Sequence, residues 1–282
     1  MTIKYCERGH SCDSTQKICL SCGWIFAFDQ GHSIADYHIL EKHTVLDKHF
    51  YLAQKNGHFY LLSESLEHFL PSYRKDLYTR LTSFLEEQGT PLLDYFIQTE
   101  RELPILYTVY PGFLWDCIHS SLQAILLDHG LLSGQYIQQI YSFLLQSVQS
   151  LRSIGLVNPS LILPFLFAHP DDSSKLYWLE WEYCIPLDDS LFYGRYYIGY
   201  HAPLYLYSPE KLLASRSLAF CQSAFYSTLV ALLIGKLPSM WYPQPISLTP
   251  YQFILTKEVI QLIETFKESS FDLNCLPEIL PV

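Results

Sequence analysis

Four cysteines fall within the first 22 residues, Cys6, Cys12, Cys19 and Cys22, with five, six and two residues between them. Thiolates are soft ligands that suit Zn²⁺, and a closed shell of four sulfurs leaves no open position for a substrate, so the chemistry implied is a structural zinc site. A segment this short cannot fold on a hydrophobic core alone, which gives the metal its reason to be there. Cys19-Leu-Ser-Cys22-Gly23 has the form of a zinc knuckle, its glycine permitting the backbone to turn beneath the ion. The Cys6-x₅-Cys12 half is looser, and His10 can stand in for Cys12 as the fourth ligand. The bland alternative is four free thiols. Cys117, Cys184, Cys221 and Cys275 are scattered along the rest of the chain and form no comparable pattern.

The 282 residues, 49% of them hydrophobic and 16% aromatic, make a globular chain. With 28 acidic against 18 basic side chains the formal net charge is −10, and no basic patch is visible to offset it, so nucleic acid and anionic membrane surfaces are not expected partners. The longest apolar stretch, Leu218 to Gly235, is interrupted by Gln222, Ser223, Ser227 and Thr228 and reads as a buried helix rather than a membrane span. The first residues carry no apolar secretory core, which points to a cytoplasmic protein, where clustered thiols favour metal over disulfides.

The elements behind the cysteines begin with a strand at Tyr37. Two β-rich runs, Lys48–Gln54 and His58–Ser63, flank Asn56-Gly57 and predict a hairpin. Leu77, Leu81 and Leu85 mark a helix over Ser72–Gln88, stopped by Gly89-Thr-Pro91. Strands are predicted over Leu92–Ile97 and Leu103–Tyr110. Helices follow over Ser133–Ser153, Leu218–Ile234 and Pro250–Glu268, the first with Ile137, Ile140, Leu144, Val148 and Leu151 along one stripe.

Leu151-Arg-Ser-Ile-Gly155-Leu-Val-Asn-Pro-Ser160-Leu-Ile-Leu-Pro-Phe165 resembles a protein kinase catalytic loop of the type L-H-x-x-G-I-V-H-R-D-L-K-P-E-N-I-L, with Leu151, Gly155, Leu156, Val157 and Leu161 in register. Further landmarks are similar: Leu106-Tyr-Thr-Val-Tyr-Pro-Gly112 to a fifth strand and hinge, Tyr207-Ser-Pro-Glu210 to the end of an activation segment, and Leu232-Leu-Ile-Gly-Lys-Leu-Pro238 to the end of the buried lobe helix. Together with the cysteines they resemble the bacterial four-cysteine-type serine/threonine kinases. The resemblance implies an α+β chain, a small Cys₄ zinc-ribbon-like module over residues 1–32 followed by a bilobal kinase-like domain over 33–282, with a β-rich N-lobe (33–112) and a larger helical C-lobe (113–282).

It also implies where phosphoryl-transfer groups should stand, and they are missing. Ser160 occupies the place of the catalytic aspartate and Phe165 that of the metal-binding asparagine. A phenyl ring cannot ligate Mg²⁺. The strand-three lysine falls on or near Ser63, with Lys55 the nearest lysine to it, and Glu41 to Ala53 holds none of the expected glycines. Glu180-Trp181-Glu182 stands for D-F-G, so Glu180 keeps a carboxylate on a longer arm. Cys221 replaces the aspartate that would anchor the loop from the lobe helix, and Tyr226 a glycine. The expectation is an inactive kinase-like protein that needs neither ATP nor Mg²⁺ and acts as a protein-interaction scaffold, six tyrosines between Tyr193 and Tyr207 offering the surface. The alternative is an atypical nucleotide-dependent kinase or transferase built around Glu180 with Asp171, Asp172, Asp188 or Asp189.

Overall fold

Strands β1 (Ile3–Tyr5) and β2 (Ser11–Asp13) form an N-terminal hairpin in a computed structural model that describes residues 3–46, 48–67, 71–87, 90–100, 103–158, 162–187, 217–237, 248–266 and 277. A curled six-stranded antiparallel sheet follows. Its strands are β3 (Ser33–Ile34), β4 (Tyr37–Val45), β5 (Lys48–Lys55), β6 (His58–Leu66), β7 (Asp94–Glu100) and β8 (Leu103–Pro111), in the order β3-β4-β5-β6-β8-β7. Helix α1 (Pro71–Glu87) connects β6 to the edge strand β7. The predicted turn at Asn56-Gly57 joins β5 to β6 with φ of 51° and 80°, the doubly positive pair that a two-residue hairpin loop requires.

Alternation along the strands divides the sheet into two faces. Tyr51, Ala53, Leu62, Ile105, Tyr107 and Val109 pack with Ile18 and Ile25 from the cysteine-bearing segment. Phe50, Leu61 and Tyr110 turn the other way and join Leu77, Leu81, Phe84 and Leu85 of α1 in the main core.

That core continues into a helical body. Among the described residues it comprises α2 (Leu114–Cys117), α3 (Leu122–His129), α4 (Gly134–Ser153), α5 (Ser217–Ile234) and α6 (Lys257–Phe266), with two-stranded pairs β9 (Leu156–Val157) with β12 (Ile185–Pro186) and β10 (Leu166–His169) with β11 (Asp172–Trp178). Ser133 caps α4 by accepting the Tyr136 amide at 3.2 Å, and the predicted stripe of Ile137, Ile140, Leu144, Val148 and Leu151 is buried. In α5, Ala224, Phe225 and the run Leu229–Leu232 have no exposed surface, as expected for a helix that is apolar all round. The last helix starts at Lys257 and not at Pro250. Thr249–Tyr251 make only a 3₁₀ turn, and Thr256 caps the helix proper, its hydroxyl accepting the Val259 amide at 3.2 Å. Among the described residues no helix is long and apolar enough to cross a membrane.

Candidate metal centre

Two tight turns bring the ligands together. The first closes the β1–β2 hairpin, where the Cys6 amide donates to the His10 carbonyl at 3.1 Å. The second is the Cys19–Cys22 knuckle, in which the amides of Cys22 and Gly23 both donate to the Cys19 carbonyl, at 3.3 and 2.8 Å. One donor atom from each of Cys6, His10, Cys19 and Cys22 lies within 4.8 Å of all the others, the only such group of metal-binding side chains among the described residues.

The spacing fits a four-coordinate ion. Zn–S bonds of about 2.3 Å and a Zn–N bond of about 2.0 Å at tetrahedral angles put two sulfurs roughly 3.8 Å apart, and a sulfur and a nitrogen roughly 3.5 Å apart. Here Cys6 Sγ lies 3.7 Å from Cys22 Sγ and 3.4 Å from His10 Nδ1, while Cys19 Sγ is 3.9 Å from the same nitrogen. These four residues lie close enough together to hold a zinc ion. Of the four cysteines named by spacing, Cys12 is the one outside this tight group, and His10 stands in its place. Cys12 is buried beside it, its thiol donating to the His10 carbonyl at 3.6 Å and in contact with Cys19.

Backbone amides prepare the thiols for metal. Burial disfavours a thiolate at both Cys6 and Cys19. At Cys6 the amides of His10 and Arg8 overcome it and lower the pKa, and at Cys19 the Cys22 thiol and the Ser21 amide bring the value down to about 7. Burial wins at Cys22, pushed up to about 11, and raises Cys12, where hydrogen bonding to Cys19 adds to it. A bound cation would draw the ligand set into the thiolate form, and four side-chain donors would leave it no open position, as in a structural site.

The segment that carries the centre is bonded to the sheet. Lys17 meets Glu64 on β6 at 2.8 Å with both side chains buried, and its ammonium lies 3.6 Å from the Phe28 ring centre. Glu64 also accepts the hydroxyls of Tyr51 at 2.6 Å and Tyr107 at 2.7 Å. Burial, and then Glu64 itself, push the Tyr51 phenol far up, so it keeps its proton for Glu64 while its oxygen accepts the Phe28 amide at 3.1 Å. His49 Nε2 donates to the Ile25 carbonyl at 2.7 Å, which leaves Nδ1 to accept the Thr44 hydroxyl at 2.9 Å.

Of the other predicted site residues, Ser63, Phe165 and Glu180 lie where sheet and helices meet. Ser63 is buried on β6 and shares a 2.7 Å hydrogen bond with Thr108. Phe165 and Glu180 have no exposed surface. The glycine-free stretch from Glu41 to Ala53 is part of the β4–β5 hairpin. Cys221 accepts the Asn158 amide, and burial pushes its thiol up to about 12. Ser160, Pro209, Glu210, Asp188, Asp189, Cys275 and the Tyr193–Tyr207 stretch lie outside the described residues.

Missing from the sequence reading is Lys48. Fully buried, it bonds Glu182, approaches Glu180 at 4.0 Å and donates to the Leu179 carbonyl at 3.3 Å. Arg74 on α1 forms a bidentate pair with Glu67, both bonds 2.8 Å, and donates to the Glu182 carbonyl at 2.8 Å. The signal for Lys48 was the period of two, since it must share the core face of Phe50 two residues on. No protein-family model matches this chain, and no curated protein matches it either.

Proposed function

We propose that this chain is a catalytically inactive, protein-kinase-like protein that works by binding another protein, its N-terminal zinc centre stiffening one face of the sheet. The observation that carries the reading is the filling of the space between sheet and helices. Phe165, at the place the resemblance gives to a metal-binding asparagine, is wholly buried, and Phe50 meets Phe167 edge to face at 6.0 Å across the same layer. A nucleotide and its Mg²⁺ would need polar room there, and the described side chains offer packed rings. Lys48 adds to this, because its ammonium is committed to Glu182 and to a carbonyl, and no phosphate can reach it without breaking a buried ion pair. Glu180, the residue on which a transferase reading depends, sits in the same cluster.

The order of elements agrees with such a fold: five long strands with a helix between the third and fourth, then a helical body carrying short hairpins. Thermal unfolding with and without ATP and Mg²⁺ tests the inactive half of the proposal. No shift is expected. A nucleotide present at about one hundred times its dissociation constant would stabilise by about 2.7 kcal/mol, and a shift of that size would overturn the reading. The binding half is tested by affinity capture from the native cell, followed by reconstitution of a defined complex from purified components. Failure to reconstitute any complex sinks it.

A further inference from the structure

Beside the β5–β6 hairpin, Leu52, His58, Phe59, Gly112, Phe113, Trp115 and Asp116 line an open hollow of about 430 Å³, within the size range of small-ligand sites. Its walls are unusual for an exposed surface. Phe59 and Phe113 are 54% and 49% exposed, whereas Trp115 beneath them is 7% exposed. The chain at Gly112 passes so close to Phe59 that a Cβ there would lie 2.7 Å from the Phe59 carbonyl oxygen, so no side chain fits at this point of the wall. On the rim, the Asp116 carboxylate is exposed and makes no hydrogen bond or ion pair among the described residues.

Elsewhere this protein sets its own lysines against rings that are buried or half-buried. Lys4 lies 3.9 Å from the Phe26 ring centre, Lys17 3.6 Å from Phe28 and Lys55 4.7 Å from Tyr37. Phe59 and Phe113 have no such cover among the described residues. Two aromatic faces and an unspent carboxylate make a receptor for a flat organic cation. A guanidinium stacks on rings and pairs with a carboxylate through two parallel N–H bonds, which an ammonium cannot do as well. The net charge of −10 adds a field that draws a basic partner in.

We propose that this hollow is the anchor point for an arginine side chain of a basic protein partner. The inference rests on the interaction reading above and names the chemistry of the partner. Arginine is among the residues that dominate binding energy at interfaces, and here its aliphatic stem would lie on Leu52 and Trp115 with the guanidinium between the rings and Asp116.

The test compares two capped tripeptides, acetyl-Gly-Arg-Gly-amide and its citrulline counterpart, which keeps the shape and loses the charge, titrated into the full chain and followed by NMR shifts. The arginine peptide is expected to bind about tenfold more tightly, and Asp116→Asn to erase that difference. Phe113→Ala, a second exposed position that leaves the core intact, is expected to weaken it comparably. Equal binding of the two peptides, or an arginine preference that survives Asp116→Asn, overturns the proposal. Titrating ATP with Mg²⁺ in parallel separates the two levels: loss of the peptide preference with no nucleotide binding refutes the anchor alone, and nucleotide binding refutes the inactive reading beneath it.

Discussion

Lys48 brings a positive charge to a place with no exposed surface, so its partners decide whether the sheet and the helical body can close on each other. Breaking a buried pair from one side costs more than removing the whole pair, because the stranded charge has no water to turn to. Lys48→Met is therefore expected to destabilise by about 3–5 kcal/mol in urea unfolding, and the double change with Glu182→Met to recover most of that loss. A single substitution no worse than the double would show that the pair does not act as a unit. At the metal centre the question is which four of five donors bind. With Co²⁺ in place of zinc, Cys12→Ala is expected to leave the ligand-field bands of a three-sulfur, one-nitrogen shell unchanged, and His10→Ala to shift them. The opposite pattern would return Cys12 to the shell. Spacing alone left this open, since Cys6-x₃-His10 and Cys6-x₅-Cys12 both allow a turn about an ion. What separates them is the hairpin register, which pairs Cys12 with Lys4 inside the strands and leaves His10 at their mouth.

Elements with a local cause were legible and those with a remote cause were not. The Asn-Gly hairpin, the leucine stripe of α1 and the apolar stripe of α4 are each written within a few neighbouring residues, and each is found where the pattern places it. The pairing of β9 with β12 joins two-residue strands about thirty positions apart, Val157 opposite Ile185, and no periodicity can announce a strand that short. The start of α6 was missed because Pro250 begins a turn as readily as a helix, and only the Thr256 cap settles the boundary. The cap of α4 makes a checkable case. Ser133→Ala removes the acceptor for the Tyr136 amide and is expected to lower stability by about 1 kcal/mol, while Ser133→Asp, which keeps an acceptor there, is expected to cost little. Equal losses from both would mean that the hydroxyl serves something other than the cap.

At the scale of the molecule, the cysteine-bearing segment and the sheet share one core, although the kinase resemblance divides the chain after residue 32. Ile18 and Ile25 pack among Tyr51, Leu62, Tyr107 and Val109, and Lys17 reaches Glu64 in the interior of β6. That resemblance rests on the cysteines and the lobe landmarks, and takes no account of the apolar residues between the cysteines. If the metal fixes the two turns, it also fixes the strip of chain that covers this face, and its removal should be felt well beyond the four donors. Stripping zinc with a chelator under reducing conditions is expected to lower the unfolding temperature of the whole chain and to speed amide exchange in β5, β6 and β8, which lie under that strip. Lys17→Met should reproduce part of the effect with zinc still bound, because it takes the cation from Glu64 and leaves it the hydroxyls of Tyr51 and Tyr107 as donors among the described residues. A chelated protein whose sheet exchanges at the original rate would show that the metal holds the turns alone, and that the shared core keeps its order without them.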